Sequence, residues 1–274
     1  TTTVDSANKL TSNELGEFDS NGVWVPKKPN VTFGTNGFHL KFDDPNLLGK
    51  STTTTTTPSS SHLGSQVFTS AAQSFTVSGA TLGSAASNRS IVIAVGGGRN
   101  NAGTRSVSSL TVGGSAATFV ARQNSGAGNV TEFWYIAVPT GTSADIVVTY
   151  TGGDNNMIAS GISWWRVLDV GQPISTNGNT ASGWSTQTVT TIGQTGDIAF
   201  YAIFDEGNAD AYAWSNATER SEHIDIVSTR SWTSADYTFT SSESHTETAT
   251  ISGGTGNDNN FLAVTFSNNN TFET

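Results

Sequence analysis

The chain has 274 residues, of which 12% are charged, and its 12 basic and 22 acidic side chains leave a net charge of −10. That balance argues against a nucleic-acid binder held by phosphate contacts and against docking on anionic membranes, and the absence of Cys removes disulfides, thiolate metal sites and thiol nucleophiles together. Thr and Ser make up more than a quarter of the residues, yet 7 Trp, 14 Phe and 5 Tyr supply core-forming bulk that disordered chains lack.

In chain order the sequence reads in three parts. Residues 1–50 hold all the Lys and half of the Pro and show little alternation; the opening Thr1-Thr2-Thr3, without Met, reads as a fragment or a processed product. Residues 51–65 are low-complexity, with Thr52 to Thr57 consecutive, then Pro58 and three Ser, and are expected to be a linker. From Gln66 to Thr274 short β-branched and aromatic runs alternate with Gly, Asn and Ser clusters. These runs include QSFTVSGA, SIVIAVGGG, VTEFWYIAV, ADIVVTYTGG, MIASGISWWRVL, GDIAFYAIF, DIVSTRSW, TETATIS and NFLAVTFS, and none keeps a helical stripe over three turns. Ile146, Val148 and Tyr150 alternate onto one face, as a half-buried strand requires. IVIAV, DIAFYAIF and FLAVTF are apolar on both faces and are expected at the centre of a two-sheet packing. The fold expected is therefore all-β: one β-sandwich of jelly-roll type over 66–274, preceded by an extended N-terminal connector arm. No tandem period points to a propeller or solenoid, and no stretch approaches the roughly 18 apolar residues of a membrane-spanning helix.

Residues 14–42, ELGEFDSNGVWVPKKPNVTFGTNGFHLKF, add a different kind of clue. Gly16, Glu17, Gly22, Val23, Trp24, Pro26 and Lys27, then Phe33, Gly34, Thr35, Asn36, Gly37, Phe38, Leu40 and Phe42, match a recurrent pattern. The segment resembles a connector of tail-fibre and other virion structural proteins of tailed bacteriophages, marine ones especially. The resemblance covers about a tenth of the chain. It departs at Ser51, where the family continues with a Gly/Asn-rich stretch and this chain turns to poly-Thr. What it implies is a virion structural protein at the particle surface, with other virion proteins as partners. It implies a homo-oligomer, a trimer being favoured by analogy with fibres. A β-sandwich so displayed would contact a bacterial surface glycan; the alternative is a purely architectural capsid or tail decoration protein.

Holding a sugar takes an exposed aromatic ring for the pyranose face and Asn or Asp beside it for the hydroxyls. Trp184, Tyr212, Trp214 and Trp232 sit in such polar surroundings (SGWSTQ, DAYAWSNAT, STRSWTSAD), against the alternative that each plugs a core or an interface. Trp164-Trp165 point to opposite faces of one strand, so at least one is core. The clusters Asp43-Asp44-Pro45-Asn46, Asp154-Asn155-Asn156 and Asn257-Asp258-Asn259-Asn260 lack calcium-loop spacing and read better as turns. Asp205-Glu206, Asp210 and Glu132 are the acids from which a glycosidase pair would have to come, as in polysaccharide-degrading spikes. No catalytic residue, metal ligand or cofactor is assigned. His39, His62, His223 and His245 are scattered and read as satisfied strand-surface residues, with His223 and Asp225 as one same-face pair. Gly96-Gly97-Gly98 is followed by neither helix nor Lys, so it is no phosphate loop.

Overall fold

The computed structural model describes residues 16–27, 58–99, 103–125, 128–151, 157–183, 185–206, 211–227, 229–251 and 258–268. Among them there is no helix. The chain divides into a compact unit from Thr54 to Thr274 and a separate one up to Thr53. Within the latter, β1 (Gly16–Phe18) and β2 (Trp24–Pro26) form an antiparallel hairpin. Its turn is set by Asp19, whose Oδ1 accepts from the backbone N–H of Asn21 and of Val23, both at 2.9 Å. Gly22 supplies a left-handed φ of 74°.

The larger unit holds two sandwiches where the sequence suggests one. The first is built from β3 (Ser59–Phe68), β4 (Ser74–Thr81), β5 (Arg89–Gly98), β6 (Val107–Val112), β7 (Ser115–Ala116), β8 (Thr118–Asn124), β9 (Val130–Ala137), β10 (Ser143–Tyr150) and β11 (Ala159–Leu168). The second comprises β12 (Val170–Ala181), β13 (Thr186–Gly193), β14 (Ile198–Asp205), β15 (Tyr212–Trp214), β16 (Thr218–His223), β17 (Ser231–Thr238), β18 (Glu243–Ile251) and β19 (Asn259–Asn268). Each has a five-stranded sheet, in the order β3-β11-β5-β9-β8 or β12-β19-β14-β17-β16, and a smaller sheet, β4-β10-β6-β7 or β13-β18-β15. The two strand orders are the same order. The registers agree too: Gly97 lies opposite Val130 and Ser160, as Asp205 lies opposite Ser231 and Asn259. The larger unit is thus an internal structural repeat.

The five-stranded sheets pack face to face, making four layers and three apolar cores. Ile91, Ile93 and Val95 face the first sandwich's interior with Leu110, Ile146, Val148 and Trp164. Val92 and Ala94, on the other face of β5, join Trp165, Phe200, Phe204, Trp232, Val264 and Phe266 in the seam between sandwiches. Tyr201, Ile203, Phe261 and Ala263 fill the second interior. Four layers explain why IVIAV, DIAFYAIF and FLAVTF lack polar faces: their strands are covered on both sides.

The segment expected as a linker over 51–65 is strand from Ser59 on, where β3 pairs along its length with β11. Apart from Leu63 its residues up to Ser65 are Ser, His and Gly at a sheet edge, so backbone pairing rather than apolar alternation places them. DIVSTRSW also differs from expectation. Its first part is a turn, with Asp225 (φ 51°) and Thr229 (φ 64°) in the left-handed region, and β17 starts only at Ser231. A single residue, Asp169 (φ 55°), joins the two repeats, and Asn88 Nδ2 donates to its Oδ1 at 2.5 Å.

Candidate functional site

The three described aromatic candidates do not share one exposed surface. Trp184 lies outside the described residues. Trp232, expected near the surface, is wholly buried in the seam, where its Nε1 donates to Ser163 Oγ at 2.9 Å. The sequence could not show that glycines on the opposite sheet make room for its indole. A Cβ on Gly96 would lie 2.5 Å from that ring and one on Gly161 2.3 Å. Tyr212 is also buried: it faces the second interior and its hydroxyl donates to Asp205 Oδ2 at 3.2 Å. Neither ring offers a face to a sugar, and both sequence expectations are corrected accordingly. Trp214 is half-buried, edge-on to Phe261 at 5.6 Å, with Nε1 donating to Thr233 Oγ1 at 3.3 Å. It is the one described candidate that keeps open surface.

The turn after Trp214 is fixed from below by Glu247, a buried carboxylate that the sequence reading did not single out. Its Oε1 accepts from Ser215 Oγ and Asn216 N, and its Oε2 from Ala217 N, at 2.9–3.0 Å. Such charge-assisted bonds hold exposed Asn216 beside Trp214 without a mobile loop. His245 contacts Glu247 Oε2 at 3.1 Å and stacks on Tyr237 at 3.9 Å, so it is buried rather than on the surface. The outward face of the same sheet carries Thr186–Thr250, Thr188–Thr248 and Thr190–Thr246 as successive cross-strand pairs. Thr190 and Thr246 share a hydroxyl contact of 3.0 Å.

The acids divide by environment. Glu132 is buried, its Oε1 accepting from Val107 N (2.8 Å) and Arg122 Nε (2.6 Å), its Oε2 from Trp134 Nε1 (2.8 Å). Burial raises its pKa and the Arg122 bond opposes the rise. With every contact directed at the scaffold, Glu132 acts as a strut. Glu206 links the repeats: Oε1 accepts from Arg230 NH2 at 2.5 Å and Oε2 from Asn129 Nδ2 at 2.8 Å. Asp210 lies outside the described residues, as do His39 and the clusters at 43–46 and 154–156. His62 is edge-on to Trp165 at 5.3 Å, and burial lowers its pKa. His223 Nε2 meets Ser65 Oγ at 3.2 Å; Asp225 belongs to the following turn, so the expected pair with Asp225 is absent. Among the described residues no three His, Cys, Asp or Glu side chains group to hold a metal ion.

Asp205 is the most perturbed carboxyl. Burial without a cation pushes it from 3.8 to about 7, against the bond from Tyr212, and Glu206 and Asp258 add repulsion. A carboxyl raised in the folded state favours folding below its unfolded value, and that contribution is lost as pH rises through the folded value. Asp205→Asn is therefore expected to match the parent near pH 4. By pH 8 it should exceed it by about 4 kcal/mol, taking about 1.36 kcal/mol per pKa unit over the rise from 3.8 to about 7. Denaturant melts of both proteins from pH 4 to 8 check this; a constant difference would refute it.

No protein-family model matches the chain, and no curated protein matches it.

Proposed function

We propose that the chain is a virion structural protein, a piece of a phage tail fibre or head fibre that displays its sandwiches for adhesion to a host-surface glycan. The connector pattern at 14–42, from Gly16 to Phe42, is the observation that carries this reading. The fold suits it. In each repeat, with the two-residue β7 left out of the first, strands numbered in chain order form sheets 1-8-3-6-5 and 2-7-4, and we read this as a jelly-roll, which alternates the chain between two sheets. Adhesion would use the open part of Trp214 as the stacking ring and Asn216 for hydroxyl contacts; the Thr pairs lie on the opposite face of that sheet, since Trp214 pairs with interior Ala249. Each contact is weak, and a homo-oligomer, trimeric by analogy with fibres, would multiply it.

A glycan array probed with the intact oligomer tests the reading, with Trp214→Ala as the informative variant. Loss of a stacked ring is expected to weaken binding by about 1–3 kcal/mol per site, by analogy with base–aromatic stacking. A large fall in melting temperature with no change in binding per folded molecule would refute the role of Trp214. The second reading, an architectural decoration protein, draws on the exposed Phe18–Trp24 cross-strand pair of the hairpin, an apolar surface suited to another virion protein. Failure of every glycan, together with co-assembly on a capsid or tail protein, favours it.

A further inference from the structure

One end of the second sandwich holds polar side chains whose bonding capacity is unused. Asp205 and Asn259 are direct cross-strand partners and are completely buried. They lie on the face that carries Ile203 and Phe261 into the interior. Asp205 Oδ1 has no hydrogen-bond partner, and neither does Oδ1 or Nδ2 of Asn259. On the facing sheet Gln187, buried on the same side as Val189, likewise lacks partners for both amide atoms. The register brings it to the same end. Asn179 Nδ2 donates to the Thr188 carbonyl and Asn177 Nδ2 to that of Thr190, so Gln187 lies level with Thr180. Thr180 is one residue from Ala181, which pairs with Asn259. The Tyr212 hydroxyl closes the group from the facing sheet through Asp205 Oδ2.

Buried polar atoms in native proteins are nearly always bonded, and orphans call for an explanation. Here five are concentrated at one end of one interior, and three of them, Asp205 Oδ1, Asn259 Oδ1 and Gln187 Oε1, are oxygens able to ligate a cation. We propose that Asp205, Asn259 and Gln187, with the Tyr212 hydroxyl, form a buried site for a single calcium ion. Calcium accepts carboxylate and amide-carbonyl oxygens together with water, in a flexible shell of six to eight ligands. Magnesium demands a tighter octahedron and dehydrates reluctantly, so it fits this donor set worse. The local charge points the same way: the carboxylates of Glu206 and Asp258 add negative potential at Asp205. Two of the donors follow strand ends. Asp205 closes β14 and Asn259 opens β19, so the ion would pin two strands at the point where they leave the sheet.

The test uses the whole chain, stripped with EDTA at pH 8, with melting temperature read against added CaCl2, MgCl2 or NaCl at matched ionic strength. Calcium is expected to raise it saturably by about 5–10 °C, as a ligand that binds only the folded state does. Equilibrium dialysis should count one tightly held ion per chain. In Asp205→Asn, which should melt cooperatively in EDTA, the calcium response should fall at least tenfold in affinity. Asn259→Asp should instead bind more tightly than the parent while melting lower in EDTA. No shift with calcium overturns the proposal. So does an equal shift with magnesium or sodium, or a response unchanged in Asp205→Asn.

Discussion

Trp232→Ala is expected to destabilise the protein by about 3–5 kcal/mol, the range for removing a large buried aromatic. The indole fills a slot between the two five-stranded sheets, floored by Gly96 and Gly161 and flanked by Phe204 at 6.5 Å. A slot whose floor is glycine backbone has no side chains that can move in to fill it, so the void persists. The loss also leaves Ser163 without one donor in a network that joins it to Ser65, Ser221 and Ser234 across the seam. Chemical denaturation of Trp232→Ala and of Trp232→Phe separates the causes. Phe should recover most of the packing and little of the hydrogen bond. A Trp232→Ala protein as stable as the parent would mean that the sheets close over the gap.

Arg89→Met should cost as much or more, about 5 kcal/mol, counting about 1 kcal/mol for each carbonyl left without a donor. Arg89 is buried, and its guanidinium donates to five backbone carbonyls: Val138 from Nε, Leu82 and Gly83 from NH1, Thr140 and Gly141 from NH2, at 2.6–3.1 Å. One side chain thereby ties the β4–β5 connection to the β9–β10 connection. Methionine matches the stem but donates nothing. Arg89→Lys, with three donors on a point charge, should recover part of the loss. Melting curves of the three proteins decide this, and equal stability of Met and Arg would show that water replaces the guanidinium.

Strand-forming runs with apolar alternation, such as Phe75-x-Val77 and Ile146-x-Val148-x-Tyr150, were legible because they are half-buried. Edge strands were not. β16, Thr-Glu-Arg-Ser-Glu-His, is held by pairing with β17 and carries no apolar period. The repeat was hidden for a related reason. Positions equivalent by register hold Gly96 and Phe204, Thr131 and Trp232, Gly161 and Asn260, or Trp165 and Val264. The seam needs a large residue on one side against a small one on the other, so two copies that face each other must diverge at these places. For the candidate site, local polarity around Trp232 misled because the glycines that make room for it and the Ser163 that accepts its N–H are more than 60 residues away in sequence. Glu247 and Gln187 carried no local signal, since each looks like any polar residue in a Thr-rich strand.

The one-residue link at Asp169 bears on how such a chain assembles during synthesis. Once the first repeat is complete, the face bearing Val92, Ala94 and Trp165 stands open until the second has been made. An equivalent surface on a neighbouring nascent chain could seal it, producing exchanged dimers or strings. A tether this short holds the correct partner at high local concentration, which a separate chain cannot match at ordinary expression levels. Lengthening the connection at Asp169 would erode that advantage, converting an intramolecular closure into a competition between copies.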